Sequence, residues 1–406
     1  MQQPNDPLRG LRSALGGGLL AGEVGLIRGQ AGVGKTSLLV LLSIERALKG
    51  EDVLHISVFG GESRLVPRSA AQHVRDQYDS ILEGTLRGLK PGERADAVLS
   101  IERHRLIHIA QGSFSKESLV RLVKTLADAV VFEPKLVVID GWEPMPGESL
   151  SMDGIAIWCA SRQDTTSVPA DHVDVLLEVQ PERAAAQLYP RKIRSATDLA
   201  PIRLDTRIHA GASLGSPAPA LPTPQTSTLF SGGAVGAEAT FGQLAEKWGI
   251  RETNFTFDGH VQAHTRGAQP LTEAELAQGD VSLAYVARRL RRPLSDKPVL
   301  RRVLQSLWHQ VSRSEQIFVI GTIQEDGTVT GGTGWSVELA RMWGKRLWVY
   351  DQEKESWFRW NGDDWVAGLP TIDAITFCGT GTRQITENAV REVEALFARS
   401  FTEPHT

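Results

Sequence analysis

Gly29-Gln30-Ala31-Gly32-Val33-Gly34-Lys35-Thr36 sets glycine, lysine and hydroxyl groups at the spacing G-x-x-x-x-G-K-[ST]. The spacing has a phosphate chemistry. Glycines let the backbone curl until successive N–H groups point at phosphate oxygens, and a helix starting behind them adds its partial positive charge. Lys35 then reaches the β and γ phosphates of ATP, and the Thr36 hydroxyl takes Mg²⁺. Gly29, Gly32, Val33, Gly34 and, in the first helical turn, Ser37 complete the cradle.

Such a cradle needs a carboxylate at the end of a neighbouring strand to hold the metal. Leu136-Val137-Val138-Ile139-Asp140 supplies four apolar residues and an acid, making Asp140 the candidate partner of Thr36. Two further glycine clusters stand in the second half. Gly331, Gly332, Thr333 and Gly334 follow a strand-like run, Ile317 to Gly321, and open a helix. Gly379, Thr380, Gly381, Thr382 and Arg383 lie between an apolar run, Ala374 to Cys378, and a helix with Ala389, Val390, Val393, Leu396 and Phe397 on one face. Glycines there bring backbone N–H groups close to a phosphate or ribose, and Arg383 has the fork to pair with a phosphate.

These residues need a frame, and the apolar periodicity supplies one. Before residue 210, strand-like runs at 23–28, 53–58, 106–110, 136–139 and 155–159 alternate with helical spacing, including a helix from Thr36 to Leu48 and one behind a Ser115 cap. Alternation of that kind predicts a mostly parallel sheet covered on both faces. The runs 173–179, 187–194 and 202–208 lack intervening helices, so the sheet is expected to end in antiparallel strands. In the second half, Trp357 to Trp365 with Asn361-Gly362 at its centre predicts a hairpin whose aromatics pack across the strands.

At 406 residues, two domains are the natural expectation. Residues 211–233 are rich in Pro, Ser and Gly and read as a linker between a domain at 1–210 and another at 234–406. Only Cys159 and Cys378 are present, too few and too far apart for a zinc site, and the net charge is −4. Neither half has a basic surplus, so bulk charge gives no support to nucleic-acid binding. No apolar run approaches the roughly 20 residues of a membrane span, and the polar start lacks the order of a secretory signal. A cytoplasmic location is the expectation.

Leu15 to Glu23, read as Leu-Gly-Gly-Gly-Leu-Leu-Ala-Gly-Glu and followed by Val24 to Gly29, resembles the opening of KaiC, RadA and DnaB-type ATPases of the RecA kind. The resemblance covers roughly residues 10–210. It implies a RecA-like P-loop domain, ATP hydrolysis with Mg²⁺, and a homo-oligomer in which Lys192 and Arg194 reach the γ-phosphate on a neighbouring subunit. Asp174 to Glu178 matches the strand that follows the sensor segment, and Gln163 takes the sensor position. The catalytic glutamate of the family has no match in place; Glu62, displaced by two residues, is the nearest substitute. Binding of ATP is therefore better supported than hydrolysis.

The Thr330 to Glu338 segment resembles the P-G-G-x-G-T-x-x-E signature of LOG lysine-decarboxylase-like proteins, within the SLOG group of Rossmann-like nucleotide binders. Glu338 and the glycines match, whereas Thr330 replaces Pro and Trp335 replaces Thr. Three readings follow: an ATPase regulator or motor joined to a nucleotide-sensing domain, a ring-forming DNA-remodelling ATPase, or a nucleotide N-glycosidase regulated by its ATPase half.

Overall fold

The computed structural model describes residues 8–59, 70–86, 89–111, 114–130, 132–142, 150–161, 172–181, 186–197, 199–203 and 222–401. The chain divides into two compact α/β units. Each is built on an eight-stranded, largely parallel sheet.

In the first unit α1 (Arg9–Ala14) precedes β1 (Val24–Arg28), α2 (Lys35–Leu48) and β2 (Val53–Phe59). Then come α3 (Ala70–Thr85), which belongs to this unit from Val74 onward, α4 (Pro91–Arg103), β3 (Arg105–Gln111), α5 (Lys116–Val130), β4 (Leu136–Asp140) and β5 (Ala156–Ala160). The unit closes with β6 (Val175–Pro181), β7 (Ala186–Ile193) and β8 (Ile202–Arg203). The strand order is β3-β2-β4-β5-β1-β6-β7-β8. Strands β1 to β6 run parallel, and β7 and β8 return antiparallel, as the missing helices between the last runs predict. The first four residues of β1 and β4 and all five of β5 are buried, which explains their continuous apolar sequences: helices cover both faces. Ser115 caps α5 through a 3.3 Å bond from the Ser118 N–H.

The second unit runs β9 (Thr228–Ser231), α6 (Ala237–Lys247), β10 (Arg251–Thr256), β11 (Ala268–Pro270), α7 (Glu273–Ala277), α8 (Asp280–Arg289) and α9 (Pro298–Ser312). It continues with β12 (Gln316–Gly321), α10 (Thr333–Met342), β13 (Arg346–Asp351), β14 (Ser356–Trp360), β15 (Trp365–Ala367), β16 (Thr376–Gly381) and α11 (Glu387–Ser400). The order is β11-β10-β9-β16-β12-β13-β14-β15. Six strands are parallel, and β14 and β15 form the expected antiparallel hairpin, with Trp360 opposite Trp365 and their rings 5.2 Å apart. One boundary is corrected. Residues 228–231, read as linker from their composition, are β9, bonded to both β10 and β16 inside the sheet. Their Thr-Leu-Phe-Ser pattern is too short to stand out beside the Pro-rich stretch before it. Among the described residues no helix is long and apolar enough to cross a membrane.

Beneath the first sheet lies a buried polar group. His55 on β2 is fully enclosed, with Nδ1 3.0 Å from the Tyr78 hydroxyl of α3. The Arg105 guanidinium sits 4.2 Å over the Tyr78 ring and pairs with Glu102. Burial, helped by the Arg105 charge, holds the imidazole down to about 3, and burial pushes Tyr78 up to about 12. The folded state thus keeps His55 neutral, while the unfolded chain takes up its proton near the ordinary 6.5. The stability from this burial is complete above that value and is lost progressively as pH falls toward 3. We expect the thermal midpoint of the parent to drop across that window more steeply than that of His55→Leu, measured by circular dichroism; parallel pH profiles would refute the assignment.

Candidate functional site

The first site forms where β1 ends and α2 begins, at the carboxyl edge of the sheet, with β5 on one side of β1 and β6 on the other. Gly29 closes the strand at φ +148, and a Cβ there would lie 2.5 Å from the Val179 carbonyl oxygen on β6. Only glycine fits that approach. The first bond of α2 closes from Leu38 N–H to the Gly34 carbonyl at 3.0 Å, so the N–H groups of the preceding turn point out along the helix axis, as a phosphate requires. Lys35 Nζ folds back on the loop and donates to the carbonyls of Gly29 and, at 2.8 Å, Gln30.

Across the sheet, Thr36 Oγ1 donates to Asp140 Oδ2 at 2.8 Å. Two oxygen donors, a hydroxyl and a carboxylate, fit the hard-donor preference of Mg²⁺. Ser37 does not join them through its side chain: its hydroxyl is buried and donates to Gln77 Oε1 at 3.0 Å, leaving its backbone N–H to the cradle. Glu178, in the middle of β6 and level with Arg28 at the end of β1, accepts from Arg191 Nε and Gln180 Nε2 at 2.8 Å each, and these bonds hold its carboxyl below the usual range. Glu62 and Gln163 lie outside the described residues.

Lys192 and Arg194 stand at the opposite end of the sheet from Gly29, because β7 runs antiparallel and pairs Lys192 with Leu176 near the start of β6. Arg194 is committed within its own unit. Its guanidinium makes a two-pronged pair with Glu23, at 2.6 and 3.0 Å, and donates to the carbonyls of Leu15 and Gly18. Both ends of the Gly-Gly-Gly lead-in are thereby tied down. An arginine so engaged has to break this pair before it can reach a neighbour.

In the second unit the glycine clusters occupy the carboxyl ends of adjacent strands, β12 and β16. Thr382 N–H donates to the Ile320 carbonyl at 2.9 Å, and Gln352 bridges the two strand ends, donating from its backbone to Gly321 and from its amide to Gln384. Gly331 and Gly332 face open space, whereas Gly334 packs against the Val329 carbonyl. Glu338 does not face this edge freely. It is buried and paired with Arg289 at 2.9 Å and Arg341 at 2.6 Å, and Arg341 in turn lies 3.7 Å over the Trp360 ring.

A third glycine turn, Ser231-Gly232-Gly233-Ala234-Val235-Gly236, leads from β9 into α6 and was hidden in the stretch read as linker. Gly236 adopts φ +95, and a Cβ there would lie 2.5 Å from the carbonyl oxygens of Thr382 and Arg383. Ala237 N–H donates to Thr382, and Ser231 Oγ donates to the Gly379 carbonyl at 2.8 Å. The Gly379 to Arg383 segment is therefore joined to this turn as closely as to β12. Burial raises the Glu238 carboxyl above its ordinary value while the Ala234 N–H and the Thr380 hydroxyl bond to it, so it clamps the turn. Burial, with the Arg383 charge next, also lowers His260. The signal that finds this turn is Gly-Gly-x-x-Gly between an alternating tetrapeptide and a helix.

No protein-family description matches the chain, and no curated protein matches it. Among solved structures it is similar to the crystal structure of the RadB recombinase, at 18% identity and a TM-score of 0.31, over 50% of this chain and 95% of that one. At that level of likeness, sheet order and loop geometry alone carry the reading of the site.

Replacing Asp140 by Asn keeps the bond to Thr36 but removes the charge. Mg²⁺-dependent phosphate release should fall about 10–100-fold, the usual cost of losing a residue that orients a metal site, with part of the ATP affinity kept. An unchanged rate over a Mg²⁺ titration would remove Asp140 from the site.

Proposed function

We propose that the chain is an ATP-binding, ATP-hydrolysing P-loop regulator or motor whose second unit binds a nucleotide-type ligand. The observation that carries the first part is the Thr36–Asp140 hydrogen bond, which sets a hydroxyl and a carboxylate side by side at the mouth of a glycine-lined helix start. In this reading Gly29 to Ser37 hold the phosphates, Lys35 leaves the loop carbonyls for the β and γ oxygens, and Thr36 with Asp140 would hold Mg²⁺, which supplies charge neutralisation on the transferred phosphoryl group. Asp140 accepts from the Thr36 hydroxyl and keeps it oriented. Glu62 and Gln163 are proposed as base and sensor, and Lys192 and Arg194 as the contacts to a neighbour in a homo-oligomer, Arg194 after leaving Glu23.

For the second unit, the three glycine turns at the carboxyl edge of one parallel sheet, with Arg383 between them, support a phosphate- or ribose-bearing ligand. The pairing of Glu338 with two arginines weighs against the glycosidase reading, since both oxygens of this buried carboxylate are already taken by guanidinium groups. Sensing is the better account.

Lys35→Ala should weaken MgATP binding at least about 10-fold, because hydrogen bonds to charged groups are worth about 1.5–3 kcal/mol each. Calorimetry giving the parental affinity would sink the ATP reading. The second site is best tested in that same variant, with the first site silenced, by thermal shift against mononucleotides, NAD⁺, ADP-ribose and cyclic nucleotides. One of these should raise the midpoint, and Gly332→Val should abolish the shift without harming the fold, since a Cβ at Gly332 meets nothing within 4 Å. A shift that survives Gly332→Val would place the ligand elsewhere.

A further inference from the structure

The edge of the second unit formed by the end of α8, the start of α9 and their connection carries charge that the overall balance conceals. Residues 222–401 contain 19 basic and 21 acidic side chains, yet seven of the basic and one of the acidic fall within residues 288–302. The remainder of the unit is left with twelve basic against twenty acidic. The run carries a net +6 over fifteen residues; Glu338, Asp280 and Glu273 pair with Arg289, Arg301 and Arg302, which leaves a net +3 at this edge of a unit otherwise strongly acidic.

Four of the seven cations, Arg288, Arg291, Arg292 and Lys297, make no ion pair among the described residues, whereas Arg302 pairs with Glu273 at 2.8 Å. Arg288, Arg291 and Lys297 are exposed. Arg289 and Arg301 pair with Glu338 and Asp280 but keep 42% and 47% of their side-chain surface in solvent. Arg292 ties the run to the glycine turn before α10, donating to the Gly331 carbonyl at 2.8 Å and to Gln324 Oε1 at 3.2 Å. Asp326 on that turn, near Arg292 and Arg341, is its acidic neighbour, and Asp296 is the one acid inside the run. Six of the seven cations are arginines, whose planar forks match phosphate oxygens two at a time where lysine offers a point charge.

We propose that this edge docks the phosphate backbone of a nucleic acid. The proposal stands independently of any nucleotide in the glycine turns. A lipid surface suits the geometry less well, because only Val299 and Leu300 of α9 are exposed apolar residues and the helix from Leu304 onward is buried. It has no apolar face left to lie on a membrane.

The test uses the full-length protein and fluorescence anisotropy with a labelled 20-mer as single-stranded DNA, duplex DNA and RNA. At least one should bind, with affinity falling as salt rises at a logarithmic slope of about −0.9 per phosphate contacted on duplex and about −0.7 on single strands. If three phosphates are engaged on duplex, affinity drops about 40-fold between 50 and 200 mM salt. Arg288→Glu/Arg291→Glu/Lys297→Glu should lose binding at least tenfold and flatten the slope. Lys247→Glu/Arg251→Glu/Arg391→Glu, an equal charge change elsewhere on the unit, should keep binding within about twofold. The milder Arg288→Gln/Arg291→Gln/Lys297→Gln covers the case in which the reversal unfolds the unit, as judged by circular dichroism. No binding to any of the three nucleic acids, equal loss in both triple variants, or binding to phosphatidylserine vesicles with none to nucleic acid would each overturn the proposal.

Discussion

The register of β1, β5 and β4 is the constraint on which the first site depends. Thr36 sits in the first turn of the helix launched by β1, and Asp140 ends β4, two strands away. Their 2.8 Å bond exists only because Leu26 lies level with Cys159 on β5, and Cys159 level with Ile139 on β4. A slip by one residue in either pairing moves the Asp140 carboxylate by about 3.3 Å and turns it to the other face. The buried apolar sequences of all three strands prevent such a slip, since both faces are packed. Three strands whose buried side chains are apolar thus set the position of the polar pair at their edge.

The same reasoning explains the Arg194 knot. Gly16, Gly17 and Gly18 all adopt positive φ, so the lead-in to β1 is a segment with little intrinsic preference for one path. Glu23 accepts both prongs of Arg194, its second oxygen also takes the Leu20 N–H, and Arg194 reaches back to carbonyls on either side of the glycines. Arg194 itself has φ +53, a conformation uncommon for a residue with a side chain. The pair fixes where β1 starts, and hence where Gly29 ends it. Arg194 thereby bears on the glycine turn after β1 through the backbone of its own unit.

Much of this was legible in the sequence because the chemistry is local. The cradle, the acid at the end of β4, the hairpin and two glycine turns each lie within a short run whose period or spacing identifies it. What escaped was non-local or masked by composition. The helix α4 has a weak apolar period, and β9 with its glycine turn directly follows the Pro-rich stretch whose composition masks it. The engagement of Arg194 by Glu23, 171 residues away in sequence, and of Glu338 by Arg289, 49 away, has no counterpart in any local window. A matching residue type at a matching position says what a side chain is able to do; its partners decide whether it is available.

Charge shows the same limit from another side. Summed over the second half, basic and acidic residues nearly cancel, and the sum argued against a polyanionic partner. Electrostatic attraction is screened over about 8–10 Å at physiological salt, so a partner at the surface feels the local cluster and not the total. The seven cations of residues 288–302 lie on the end of α8, the start of α9 and their connection, with four of them outside any ion pair among the described residues. Glu338, Asp280 and Glu273 offset three of these cations directly, and the rest of the acidic excess is spread over the remainder of the unit. Net charge near zero is therefore compatible with a strongly basic docking edge, and only the placement of the charges distinguishes the two.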